Sequence, residues 1–171
     1  MDAKELLKQQ HTEAHGWFDA TMQGVGQKEA SWAPGGRANT IAACYAHVVL
    51  TEDWLVNMLR GSGPLFATVW AGKTGISELP PENPEQGWGE WAKKVQVDLE
   101  RSAGYKRSVV NNTQSYLETL DDAELNRKVD TPAGTQTVAW LLNNVVIGHV
   151  HDFTGEISCL KGLQGLQGYP A

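Results

Sequence analysis

The residues of this chain best placed to do chemistry are histidines on helix-patterned stretches whose inward faces are otherwise apolar. At a helical step of about 100° per residue, Leu142, Val145, His149, Phe153, Glu156 and Leu160 fall within roughly 40° of one line. An imidazole and a carboxylate therefore share a core-facing stripe with aliphatic and aromatic residues. Such groups need hydrogen-bond partners, a metal or a shifted protonation state, because burying them unpaired costs about 2 kcal/mol or more. His47 is the second candidate, with the small or half-polar Thr40, Ala43 and Thr51 and the bulkier Trp54 on its side of a helix. A rival lies in His11-Thr12-Glu13-Ala14-His15, whose two imidazoles stand one turn apart, the spacing that can grip one transition metal. Its place near the start of an amphipathic helix suggests solvated or half-buried side chains. Glu52 and Asp53 project roughly 140° and 240° from His47, which assigns them to solvent, helix packing or support roles. His151 points about 200° from His149 and reads as a surface residue.

Four long helices must position these groups. The first runs from Ala3 to about Gly24 through Leu7, Phe18 and Met22. The second is capped by Asn39 or Thr40, passes Ile41, Cys44, Val48 and Leu55, and stops at Gly61-Ser62-Gly63-Pro64. A long connection follows, too apolar around Leu65, Phe66 and Trp70 for a solvated linker. After Asn83-Pro84-Glu85, an apolar register from Trp88 to Leu120 predicts a third helix of about 35 residues, in which Gly104 marks a bend or a close approach. Asp121 to Glu124 begins a short turn or helix, Thr131-Pro132-Ala133-Gly134 clears the way for the fourth helix over Thr137 to Leu160, and Lys161 to Pro170 forms an extended tail. No segment alternates long enough to predict a strand. The fold class is therefore all-α, a four-helix bundle with a long connection between helices two and three, in one domain spanning residues 1–171.

The totals narrow the partners. A net charge of −6 without any basic run argues against nucleic acid and anionic membrane surfaces. No signal-peptide pattern or spanning apolar run is present, so a cytoplasmic protein is expected. Cys44 and Cys159 read as buried, inert thiols. Gly72-Lys73-Thr74-Gly75 fails as a phosphate loop, since Ala67 stands where its first glycine is required.

Three segments in this order, Pro34-Gly35-Gly36-Arg37-Ala38-Asn39, Tyr45 to Asp53 around His47, and His149 to Ile157 with Gly155-Glu156-Ile157, give the chain its affinities. It resembles the DinB/YfiT-like family of metalloenzymes over nearly its whole length. The resemblance implies a four-helix bundle, often a homodimer, with a divalent metal (zinc, nickel or iron) held by one histidine of helix two and a His-x-x-x-His pair of helix four. Known members include transferases and isomerases that use low-molecular-weight thiols. Carried over by position, the ligands are His47 and His149, while the third falls on Phe153, which cannot coordinate. Asp152, about 60° round the helix from His149, is the replacement that completes a two-histidine, one-carboxylate set, with Glu156 and His15 as fallbacks. Two functions follow: a metal-dependent enzyme, such as a thiol-dependent transferase or hydrolase acting on a small electrophilic substrate, or a non-catalytic binding or dimerisation module with a degenerate metal site.

Overall fold

The computed structural model describes residues 2–81, 84–131 and 134–170, without the side chains of 84–86. Helices α1 (Ala3–Met22), α3 (Ile41–Leu59), α5 (Leu99–Thr119) and α8 (Gly148–Leu163) form the bundle. Shorter helices α2 (Gln27–Ser31), α4 (Pro84–Lys94), α6 (Asp122–Asn126) and α7 (Val138–Leu141) connect or extend them. Helix α1 packs against α5 and α8, and so does α3, so α1 and α3 face each other across the interior.

Local chemistry sets where the helices begin. Asp2 accepts from the Glu5 amide, Thr40 from Ala43, Asp98 from Arg101 and Thr137 from Trp140, each side chain satisfying a free N–H of a first turn. Of the two candidates for the second long helix, Thr40 is the cap. At the other end of α1, the buried Lys161 ammonium donates to the carbonyls of Thr21 and Gln23 at 2.6 and 2.8 Å, which ties α8 to α1.

Three expected elements differ. The 35-residue third helix is two, α4 and α5, separated by Val95 to Asp98. Val95 and Val97 are buried there while Gln96 and Asp98 are exposed, the alternation of extended chain, and Val97 pairs with Ile76 in a bridge. Asn83, expected just ahead of α4, lies outside the described residues. A short antiparallel hairpin, β1 (Lys128–Thr131) and β2 (Gly134–Thr137), precedes the last helix where no strand was expected; Pro132 and Ala133 between them lie outside the described residues. Finally, Leu142–Ile147 is π-helical, with the Gly148 amide bonded to the Asn143 carbonyl, so α7 and α8 join through a widened turn.

The long connection folds back on the bundle because Asp53 collects it. The carboxylate of Asp53 accepts from the Leu65 and Phe66 amides at 2.8 and 2.9 Å, from the Tyr105 hydroxyl at 2.6 Å and from Asn57 at 2.7 Å. Burial raises its pKa, against the pull of those donors. Further along, the edge of Trp70 lies 3.0 Å from where a β-carbon would stand on Gly104, so that glycine marks a close approach of the connection to α5. The tail turns over the outside, with Tyr169 edge-on to Trp17 at 6.4 Å. Helix α8 persists to Leu163, three residues into the segment expected to be extended. No described helix is long and apolar enough to cross a membrane.

Candidate functional site

Helix α8 presents Val150, Thr154, Ile157, Ser158 and Lys161 to the interior as its fully buried face. His149, Phe153 and Glu156 sit beside that face, half-buried. The stripe expected to be the core is thus the flank of the helix: only its ends, Leu142 and Leu160, are fully buried.

On that flank His149 meets His47 from α3. Their ring centroids are 5.2 Å apart, with Phe153 at 4.7 Å from His47 and 6.0 Å from His149. Trp88 of α4 lies edge-on over His47 at 3.9 Å and packs on Trp91 at 4.6 Å. The His47 nitrogen Nδ1 makes only a long 3.5 Å contact with the Thr51 hydroxyl. Burial, followed by the neighbouring His149, pushes the His47 pKa down to about 3, so this ring is a neutral imidazole at any ordinary pH. Nδ1 of His149 is buried with no hydrogen-bond partner among the described residues. The orphaned His149 nitrogen beside the His47 ring makes a donor pair, and it fits a divalent cation with two nitrogens supplied by the protein.

Asp152 is not brought to this pair. It is exposed, and it is absent from the group of three or more His, Cys, Asp or Glu ligand atoms found within 4.8 Å of one another among the described residues. Glu156 instead accepts from Asn39 at 3.2 Å. His151 is exposed, as its angle predicted. Of the cysteines, Cys44 is buried, whereas Cys159 is exposed rather than inert in the core. Burial, with Glu156 nearby, raises the Cys44 thiol far above its usual range and keeps it protonated.

The compact group is the rival pair with a carboxylate that sequence reasoning placed elsewhere. His11, His15 and Glu52 are 0 %, 5 % and 1 % exposed, which corrects the expectation of solvated or half-buried imidazoles and, of the roles open to Glu52, removes solvent. His11 Nε2 lies 2.9 Å from Glu52 Oε1, and His15 Nε2 lies 2.8 Å from Oε2. The Thr113 hydroxyl of α5 donates to Oε1 at 2.6 Å. Burial alone would raise the Glu52 pKa, but the charge and hydrogen bonds of His15 and His11 hold it well below the usual carboxylate range. The three residues are compatible with a metal site. The available signal was the His-x-x-x-His spacing together with the buried series Leu7, His11, Ala14, His15, Phe18 at helical intervals.

Comparison with known proteins adds the family. No curated protein matches the chain. A crystal structure described as the conserved protein of locus from Enterococcus faecalis is similar in fold, with a TM-score of 0.80 and 20% sequence identity over 95% of this chain and 97% of that one. The family profile of the DinB superfamily matches residues 8–154, most of the bundle and both histidine groups, and the chain belongs to that superfamily.

Proposed function

We propose that this chain is a divalent-metal-dependent enzyme of the DinB type that acts on a small electrophilic molecule, with His47 and His149 as its nitrogen donors. The observation that carries the reading is the unpartnered, buried Nδ1 of His149, 5.2 Å between ring centroids from an imidazole kept neutral by burial. Zinc, nickel or iron held there would lower the pKa of a bound water or thiol toward neutrality. The chain's own residues shape the surroundings: Trp88 and Phe153 limit water around the rings, and Thr51 holds a loose contact to His47. Because Phe153 stands where a third imidazole is expected, more positions remain for a thiol and a substrate than in a three-ligand centre. This makes a thiol-dependent transferase or hydrolase the favoured reaction class, in a cytoplasmic homodimer.

A second reading has its own support. Phe153 and the exposed Asp152 leave two protein donors, which suits a non-catalytic binding or dimerisation module whose metal site is degenerate. Metal analysis of protein freed of any polyhistidine tag separates the two. The enzyme reading expects metal that is lost in a His47→Ala, His149→Ala double variant. Wild-type and double-variant proteins with equal metal content would leave only the module.

A further inference from the structure

We propose a second, structural divalent-cation site at the centre of the bundle, formed by His11 and His15 of α1 and Glu52 of α3. It is separate from the His47 and His149 pair and does not depend on that pair's function.

The donor chemistry is the first argument. Two imidazoles one helical turn apart and one carboxylate from across the interior make an N₂O set of the kind that zinc, nickel, cobalt or ferrous ions accept. All three side chains are buried, so the ligands are withdrawn from competing water. The described partners of the Glu52 carboxylate are the two imidazoles and the Thr113 hydroxyl, with no lysine or arginine among them. A buried carboxylate answered by no lysine or arginine is a place where a cation is strongly favoured.

Supporting contacts of the kind that orient metal ligands are also present. Thr113 fixes the carboxylate at 2.6 Å, and Gln114 places its amide 2.7 Å from Nδ1 of His11. For the Nε2 atoms to face a cation, each ring proton moves to Nδ1. At His11 the Gln114 amide can turn so that its oxygen accepts that proton. At His15 the Nδ1 atom is buried without a partner among the described residues, so the ring has no hydrogen bond on that side to lose.

There is also a way in. Gln114 is half-buried, and it lines a surface depression with Thr12, Glu5, Glu13 and Lys8. One amide side chain therefore separates the group from an outer surface bearing two carboxylates. An ion bound here would pin α1 to α3 across the bundle and leave no approach for a substrate, which makes the site structural.

The test uses the full chain, tag removed and stripped with chelator, then titrated with Co(II) alone. The His47→Ala, His149→Ala double variant should still bind about one Co(II), with the visible absorption of a low-symmetry site and a melting temperature raised by about 5–10 °C at a hundredfold excess over Kd. His15→Gln in that background should abolish both. Loss of all binding in the double variant, or binding undiminished by His15→Gln, overturns the proposal. Should His15→Gln fail to fold, Gln114→Ala in the same background decides: release of the ion to chelator is expected to be at least tenfold faster, and an unchanged rate places the metal elsewhere. Failure here leaves the metal content attributable to His47 and His149 untouched, so the two proposals fall separately.

Discussion

The molecule holds two groups of imidazoles, one at the bundle centre and one on its flank, and only the central one is answered by a carboxylate. His11 and His15 each face an oxygen of Glu52 within 2.9 Å. His47 and His149 face each other, Phe153 and Trp88, and one nitrogen goes unpaired. The first arrangement is closed and fully buried around its carboxylate; the second is half-buried, without a carboxylate and short of partners. Histidines on α1, α3 and α8 thus form two groups from the same side-chain type, the carboxylate-paired one proposed to be structural and the other reactive.

The sharpest way to break this contrast is to delete the carboxylate. Glu52→Ala strands two imidazole nitrogens and the Thr113 hydroxyl in the core, and is expected to cost about 3–5 kcal/mol. His149→Ala removes a half-buried ring whose Nδ1 has no partner, and should cost less than about 2 kcal/mol. Urea midpoints of the two variants measure the difference, and equal costs would erase it.

Converting the flank group toward the central one is the next test. Phe153→His returns a third imidazole 4.7 Å from His47 by ring centroid, and should tighten zinc or nickel binding there by about tenfold or more. Competition with a chromophoric chelator reads this directly. If affinity is unchanged, the ring at position 153 does not reach the pair.

Acid should separate the groups by pH window in metal-free protein. The folded pKa of His47 lies near 3 against an ordinary 6.5, so between those values the unfolded chain binds the extra proton and the folded chain does not. Stability contributed by neutral His47 is present above about pH 6.5 and is lost as pH falls toward 3, at no more than about 1.4 kcal/mol per pH unit. For Glu52 the folded pKa is depressed below 4.5, so its contribution holds above that value and declines only as pH falls further. Melting curves of the wild type and His47→Phe from pH 7 to 4.5 should diverge, and parallel curves would contradict the burial effect.

The smallest effect is expected at Asp152. Its exposed carboxylate gives Asp152→Asn a stability change within about 0.5 kcal/mol and an unchanged metal content. A lost metal equivalent would bring Asp152 back to the pair.

Much of this architecture is readable from residue patterns. Thr40 as a cap, the run from Ile41 to Leu59 and the glycines beyond it define α3 because each signal is local. The break at Val95 to Asp98 is hidden, since Val95 and Leu99 continue the apolar register of a helix and neither Pro nor Gly stands between them; Val97 on the opposite face and the Asp98 cap were the available signs. The hairpin is short and largely exposed, so its alternation carries little hydrophobic signal. The pairing of His47 with His149 was legible through the family resemblance, which carries both over by position, whereas Glu52 was not, because its role depends on where α1 lies across the bundle. An angle measured from His47 along α3 says nothing about which neighbour waits on the other side.

The widened turn at Leu142–Ile147 also sets the aim of the last helix. An extra residue in one turn offsets everything downstream by roughly 100° relative to a regular helix. Helix α7 is held at its own end against α6, and α8 is held along α1 and α3, so the offset cannot relax by rotating either part freely. The six-residue π-helical segment therefore works as a phase shifter: excising a single residue from it would force α7 or α8 to rotate out of its seat, and rotation of α8 would swing His149 away from His47, making the meeting of those two rings a matter of chain length rather than of side-chain identity.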